Sequence, residues 1–161
     1  MPVRYKKPYF DTSVLISWLK GETIDSTDRQ EIVTDILTAA ERGLFRVYTS
    51  TFTMAEVYKQ RGREPLHAKN FDTILKFFEH DFVTLIDVDR RAGERAHRLC
   101  QQFGIMPGDA VHLPCALKAG CDVLLTWDDR LTGLQLEDIR VEQPRLVEGQ
   151  MRLPNSDERP G

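Results

Sequence analysis

The chain has 161 residues, 41% hydrophobic and 29% charged, with a formal net charge of −3 and a pI of about 5.8. That length suits one domain with its own core, and the charge excludes a globally basic nucleic-acid binder without excluding a basic rim around an acidic centre. No apolar run is long enough for a bilayer, and the basic residues 1–8 are not followed by an apolar signal region, so a cytoplasmic protein with no membrane partner is expected. The three cysteines, Cys100, Cys115 and Cys121, show no zinc-ligand spacing and read as reduced, buried thiols.

In chain order, residues 7–10 read as a short strand ending at Asp11, with a helix from Ser13 to a stop at Gly21. Residues 22–27 are polar and loop-like. Asp28 and Glu31 form a capping pair for a helix carrying Ile32, Ile36, Leu37 and Ala40. Residues 44–49 alternate like a strand, and Ser50 or Thr51 caps a helix with Met54, Val57 and Tyr58 on its apolar side. Phe71, Ile74, Leu75 and Phe78 mark the stripe of a helix over 66–79, and residues 82–86 a further strand. Asp89 caps a helix with Ala92, Ala96, Leu99 and Phe103 at helical spacing, stopped by Gly104. The next helix starts near Asp109 and runs to about Ala119. Its interior Pro114 lacks an N–H, so a kink is expected there. Residues 122–126 form an apolar buried strand, followed by Trp127-Asp128-Asp129-Arg130 and a weak strand at 139–141. Residues 1–147 form one domain in this reading, and 148–161 a flexible polar tail.

Alternating strands and helices imply βαβ units and an α/β fold with a mainly parallel central sheet. Right-handed crossovers place helices on both faces.

Asp11 and Asp128 stand at strand ends, and Glu56 and Asp109 in or beside helix first turns. In a parallel α/β sheet these places share one edge. Clustered carboxylates raise one another's pKa unless a cation offsets them. Mg²⁺ suits carboxylate and water oxygens, lowers the pKa of a bound water and stabilises charge on a leaving oxygen. Four acids with few competing ligands therefore point to metal-assisted hydrolysis of a phosphodiester. Each acid also has a plainer role. Asp11 can cap its helix, Glu56 can close a Thr53-x-x-Glu56 capping box, Asp109 suits a helix dipole, and Asp128 or Asp129 can be a turn residue.

Four segments in order carry a family resemblance: Phe10-Asp11-Thr12-Ser13-Val14-Leu15, Thr53-Met54-Ala55-Glu56-Val57, Gly108-Asp109-Ala110-Val111-His112-Leu113 and Leu124-Leu125-Thr126-Trp127-Asp128. Over about residues 9–141 the chain resembles a PIN-domain ribonuclease, most similar to the VapC-like toxins of type II toxin–antitoxin pairs. The resemblance implies a three-layer α/β/α fold and a Mg²⁺- or Mn²⁺-dependent endoribonuclease leaving 5′ phosphates. It also implies a homodimer and an antitoxin lying across the cleft. Asp11, Glu56, Asp109 and Asp128 match the acidic catalytic and metal-binding set, with Asp129 the second choice for the fourth acid. Thr12 or Ser13 matches the small hydroxyl after the first acid, and Thr126 the hydroxyl two residues before the last. Pro114-Cys115-Ala116 departs from the small helix formers usual there.

Other residues admit two readings. His112, one turn after Asp109, either faces the cleft or is a partly buried helix residue. Trp127 either stacks on a base or packs. Lys59 and Arg61, with Arg63, either rim the site and bind phosphate or are a solvated face, and the same holds for Arg90, Arg91, Arg95 and Arg98. The competing functions are a non-catalytic protein-binding scaffold, a housekeeping RNA-processing nuclease without an antitoxin, and another Mg²⁺-dependent phosphoryl enzyme. The last lacks both an Asp-x-Asp at the first strand and a phosphate-cradling Gly-rich run.

Overall fold

A computed structural model describes residues 1–60 and 62–149. Arg61 and residues 150–161, most of the expected tail, lie outside the described residues. At the start of that expected tail, Glu148 is still tied down. Its N–H donates to the Val3 carbonyl at 2.8 Å, and its carboxylate meets Arg4 at 2.9 Å.

The sheet is built on β1 (Pro8–Phe10), a strand buried along its whole length. It is flanked by β4 (Val47–Ser50) on one side and β6 (Val123–Leu125) on the other. Beyond them lie β5 (Val83–Ile86) and β7 (Arg140–Glu142), giving the order β5-β4-β1-β6-β7 among the described residues. Every neighbouring pair is parallel. Strand period sends alternate side chains to opposite faces. Phe10 and Leu125 accordingly join one buried cluster, with Val14, Leu15, Val33 and Ile36, while Tyr9 and Leu124 join another, with Leu113, Cys115 and Ala116. The helices α1 (Thr12–Lys20) and α2 (Arg29–Glu41) supply the first cluster, and α5 (Arg90–Phe103) and α6 (Pro107–Lys118) the second. This is the three-layer α/β/α arrangement expected. Burial pushes the thiols of Cys115 and Cys121 up to about 11 and about 12. No helix among the described residues is long and apolar enough to cross a membrane.

Caps fix where helices begin. Asp11, Asp28 and Asp89 each accept the backbone N–H three residues on, at 3.3, 2.9 and 2.8 Å. Gly21 and Gly104 close α1 and α5 in the left-handed region, at φ 65° and 68°.

Several local expectations give way. The segment 22–27 holds a small antiparallel hairpin, β2 (Thr23–Ile24) with β3 (Thr27–Asp28), turned through Asp25 and Ser26 at positive φ. The short helix α3 (Thr51–Glu56) buries Thr53 and leaves Met54 exposed, and Tyr58, beyond its end, is exposed as well. The helix expected over 66–79 begins as a single 3₁₀ turn before α4 (Phe71–Glu79), and Phe77 takes the buried place expected of Leu75. The helix α6 runs on across Pro114 to Lys118. A further short helix, α7 (Asp129–Thr132), follows β6.

Leu125 is fully buried beside β1, so truncation removes packing that the sheet cannot refill. Leu125→Ala should lower unfolding free energy in urea by about 2–5 kcal/mol.

Candidate metal and catalytic site

Because all five strands are parallel, their C-terminal ends share one edge, and the chain leaves that edge into helices. Asp11 follows β1 and caps α1, its own N–H continuing the ladder to the Leu125 carbonyl at 3.1 Å. Its side chain is almost wholly buried. One carboxylate oxygen accepts the Ser13 hydroxyl at 2.6 Å and the Val14 N–H at 3.3 Å, and the other accepts the Thr126 hydroxyl. Burial pushes the carboxyl up, opposed by the nearby His112 ring and by the Ser13, Thr126 and Val14 hydrogen bonds.

The two hydroxyls serve the fourth acid as well. Thr126 accepts the Asp128 N–H at 3.0 Å, and Ser13 accepts the Trp127 N–H at 3.1 Å. Asp128 caps α7 and its carboxylate is paired with Arg130 at 3.1 and 3.2 Å. Asp129 instead accepts from Gln143 at 3.3 Å, toward the chain after β7. Of the two candidates it is Asp128 whose charge is felt at Asp109.

Asp109 lies in the first turn of α6, half-buried. Among the described residues no hydrogen bond or ion pair occupies its carboxylate. Its pKa is raised by burial first, then by the charges of Asp128 and Asp11, while Arg130 and His112 oppose. Glu56 reaches the same place from another side. It is not in a first turn: α3 is capped by Ser50 and ends at Glu56, which removes the capping-box role with Thr53. Its Oε1 accepts the Thr12 hydroxyl and lies 3.2 Å from His112 Nε2. Its Oε2 lies 3.0 Å from where a Cβ on Gly108 would stand, next to Asp109.

The geometry thus relates all four acids. The charges of Asp128 and Asp11 both act on Asp109, and Glu56 bonds Thr12, next to Asp11, and approaches Gly108, next to Asp109. Among the described residues no three His, Cys, Asp or Glu side chains stand close enough to form a ready-made cage. An all-oxygen donor set with a repelled, unoccupied carboxylate fits a hard divalent cation that keeps several waters.

The expected substrate contacts fare unevenly. Lys59 is exposed and Ser13 is half-buried. Thr12 and Thr126 are fully buried, their hydroxyls committed to Glu56 and Asp11, so neither is free for a phosphate. Trp127 is only 7% exposed, its Nε1 donates to Ser17 Oγ at 2.9 Å, and Arg29 covers its ring at 4.6 Å, so it has no open face for a base. Arg63 is paired with Glu22 at 3.3 Å and Arg90 with Glu94 at 3.0 Å. His112 is 2% exposed and bonded at both ring nitrogens, a role that spacing from Asp109 did not reveal.

These features define an α/β protein with an acidic site at the C-terminal edge of its sheet. A family model for the PIN domain matches residues 9–135, and the chain belongs to that family. Solved structures share the fold at low identity. VapC20 of Mycobacterium tuberculosis, described as a Sarcin-Ricin loop cleaving toxin, is 15% identical, with 83% of this chain and 98% of that one covered and a TM-score of 0.62. A DNA-bound VapBC from Salmonella typhimurium is 17% identical, covering 86% and 98%, with a TM-score of 0.61. VapBC2 from Rickettsia felis, bound to a DNA fragment from its promoter, is 14% identical over the same shares, with a TM-score of 0.59. No curated protein matches the sequence.

Asp109 carries a charge that the fold disfavours. For a carboxyl whose folded pKa is raised, the metal-free protein loses stability as pH rises from the unfolded value through the folded one. Asp109→Asn should therefore raise the melting temperature of metal-free protein at pH 7, with the gain vanishing on acidification below pH 4. Thermal unfolding in chelator across that range measures it.

Proposed function

We propose that the chain is a divalent-metal-dependent endoribonuclease acting as the toxin of a toxin–antitoxin pair. The observation that supports the reading is that the charges of Asp11 and Asp128 both act on Asp109 at one sheet edge within a PIN-family chain, with Glu56 reaching Gly108 beside it. PIN domains generally work with divalent ions. Here Asp11 and Asp109 would hold Mg²⁺ or Mn²⁺, with Glu56 and Asp128 completing the set. When bound, the ion supplies a water of lowered pKa and neutralises charge on the phosphate and the leaving 3′ oxygen.

The chain's own residues supply the frame. Ser13 and Thr126 keep Asp11 turned toward the edge, and Thr12 and His112 hold Glu56. Asp128 would help hold the ion in place of its pairing with Arg130, at small cost because that pair is largely solvated on the arginine side. Exposed Lys59, three residues after Glu56 in the chain, is proposed as a phosphate contact, as is Arg61. The toxin reading draws on structural neighbours that are VapBC complexes and on a further one from Klebsiella pneumoniae described as a toxin–antitoxin complex. An exposed apolar strip also supports a protein partner, an antitoxin or a second copy. Met54, Tyr58, Phe71 and Leu75 are 40%, 54%, 40% and 54% exposed, and the Tyr58 and Phe71 rings are 6.3 Å apart.

RNA cleavage should require Mg²⁺ or Mn²⁺, stop in chelator and fall at least about 100-fold in Asp11→Asn. Cleavage that persists in chelator would remove the metal from the mechanism. Expression of the wild type alone in a bacterial host should arrest growth, and expression of Asp11→Asn should not. Growth that continues with active wild-type enzyme favours a housekeeping nuclease.

A further inference from the structure

Glu56 is the least constrained of the four acids by backbone alone. It ends a six-residue helix, and its long side chain is about one-fifth exposed. A side chain of that length loses considerable rotamer freedom when fixed, so something must hold it. Behind it lies a chain of buried polar contacts. Tyr9 is fully buried in β1, and its hydroxyl meets His112 Nδ1 at 2.8 Å. His112 Nε2 meets Glu56 Oε1 at 3.2 Å and the Thr12 hydroxyl oxygen at 3.4 Å. Phe52 and Tyr9 pack about the imidazole, each with its ring centre 5.7 Å away.

With a neutral imidazole, one arrangement of protons satisfies the contacts at both ring nitrogens. A carboxylate only accepts, so Nε2 carries the hydrogen and donates to Glu56. Nδ1 is then the acceptor and takes the Tyr9 hydroxyl proton. Burial keeps the Tyr9 phenol far from ionising, so it remains a donor. On the other side of the carboxylate, Gly108 has no side chain. An added Cβ would stand 3.0 Å from Oε2, a contact the carboxylate would have to yield to.

We propose that His112, oriented by Tyr9, is a positioning residue that fixes Oε1 of Glu56 from behind, while the bare Gly108 leaves room for Oε2 beside Asp109. The inference rests on the reading of Glu56 as part of the metal site. It assigns His112 no contact with substrate. Partners of this kind around metal-binding carboxylates and histidines typically change metal affinity by about 10–100-fold when removed.

The test joins two readouts: Mn²⁺ affinity by calorimetry, and the position of the Glu56 carboxylate in crystals of metal-free protein. In His112→Leu the carboxylate should turn away and Mn²⁺ affinity should fall about 10–100-fold, with His112→Gln recovering part of the loss through its side-chain N–H. Tyr9→Phe, which removes one hydroxyl, and Gly108→Ala, which adds one methyl, should shift the carboxylate in proteins that fold normally. In a Glu56→Gln background, His112→Leu should cost no further affinity, whereas a general structural role would lower both backgrounds alike. A Glu56 carboxylate that stays in place in His112→Leu and Tyr9→Phe, or equal losses in both backgrounds, overturns the proposal. Wild-type protein that binds no Mn²⁺ contradicts the metal reading instead, and the carboxylate position in the metal-free crystals then decides the positioning claim alone.

Discussion

The structure turns on one buried negative charge. Asp11 ends the central strand, is almost sealed from water, and accepts bonds from the hydroxyls of Ser13 and Thr126 and the N–H of Val14. Burying a carboxylate without a countercharge is costly even when it is well hydrogen-bonded, and burial does push this one up. The bonds that hold it also set the neighbouring backbone. Ser13 and Thr126 each accept an N–H from the segment leaving β6, so the exits of the two adjacent strands are locked together. The direction in which Asp128 departs is a consequence of how Asp11 is held.

The same constraint explains why the site is electrostatically unfinished. Asp109 is raised by burial and by two neighbouring carboxylates, and among the described residues nothing bonds its own oxygens. The nearby cation, Arg130, is spent largely on Asp128 and is itself mostly solvated. Folding energy is thus given up at this edge, a cost that the divalent ion of the proposed function would offset on binding.

Much of the architecture was legible because it depends on local rules. Asp28 and Asp89 cap where their spacing said, and the expected strand at 122–126 appears as the buried Val123–Leu125. The four acids could be grouped from sequence as one candidate set because parallel strands send their ends to a common edge. What failed depended on distant partners. Thr53 could have closed a box with Glu56, but Ser50, one of the expected caps, starts the helix and Thr53 turns into the core. Leu75 and Phe77 both suit a helix stripe, and only the position of the sheet beneath chose Phe77. Trp127 invited a stacking role by sitting next to Asp128, yet strand alternation sends it inward, onto Ser17. His112 and Tyr9 are 103 residues apart in the chain, and no periodicity announces their contact. The hairpin at 23–28 hid because its turn uses Asp25 and Ser26 at positive φ, where glycine or asparagine would have signalled it.

The central claim is that carboxylates from four separate segments form one cation site around Asp11. Its most direct test is a crystal of the chain grown with Mn²⁺ and measured for anomalous scattering. The account predicts a peak between the carboxylates of Asp11 and Asp109, lost in Asp11→Asn. A map with no peak there, or with manganese bound elsewhere on the surface and unaffected by that substitution, would contradict it.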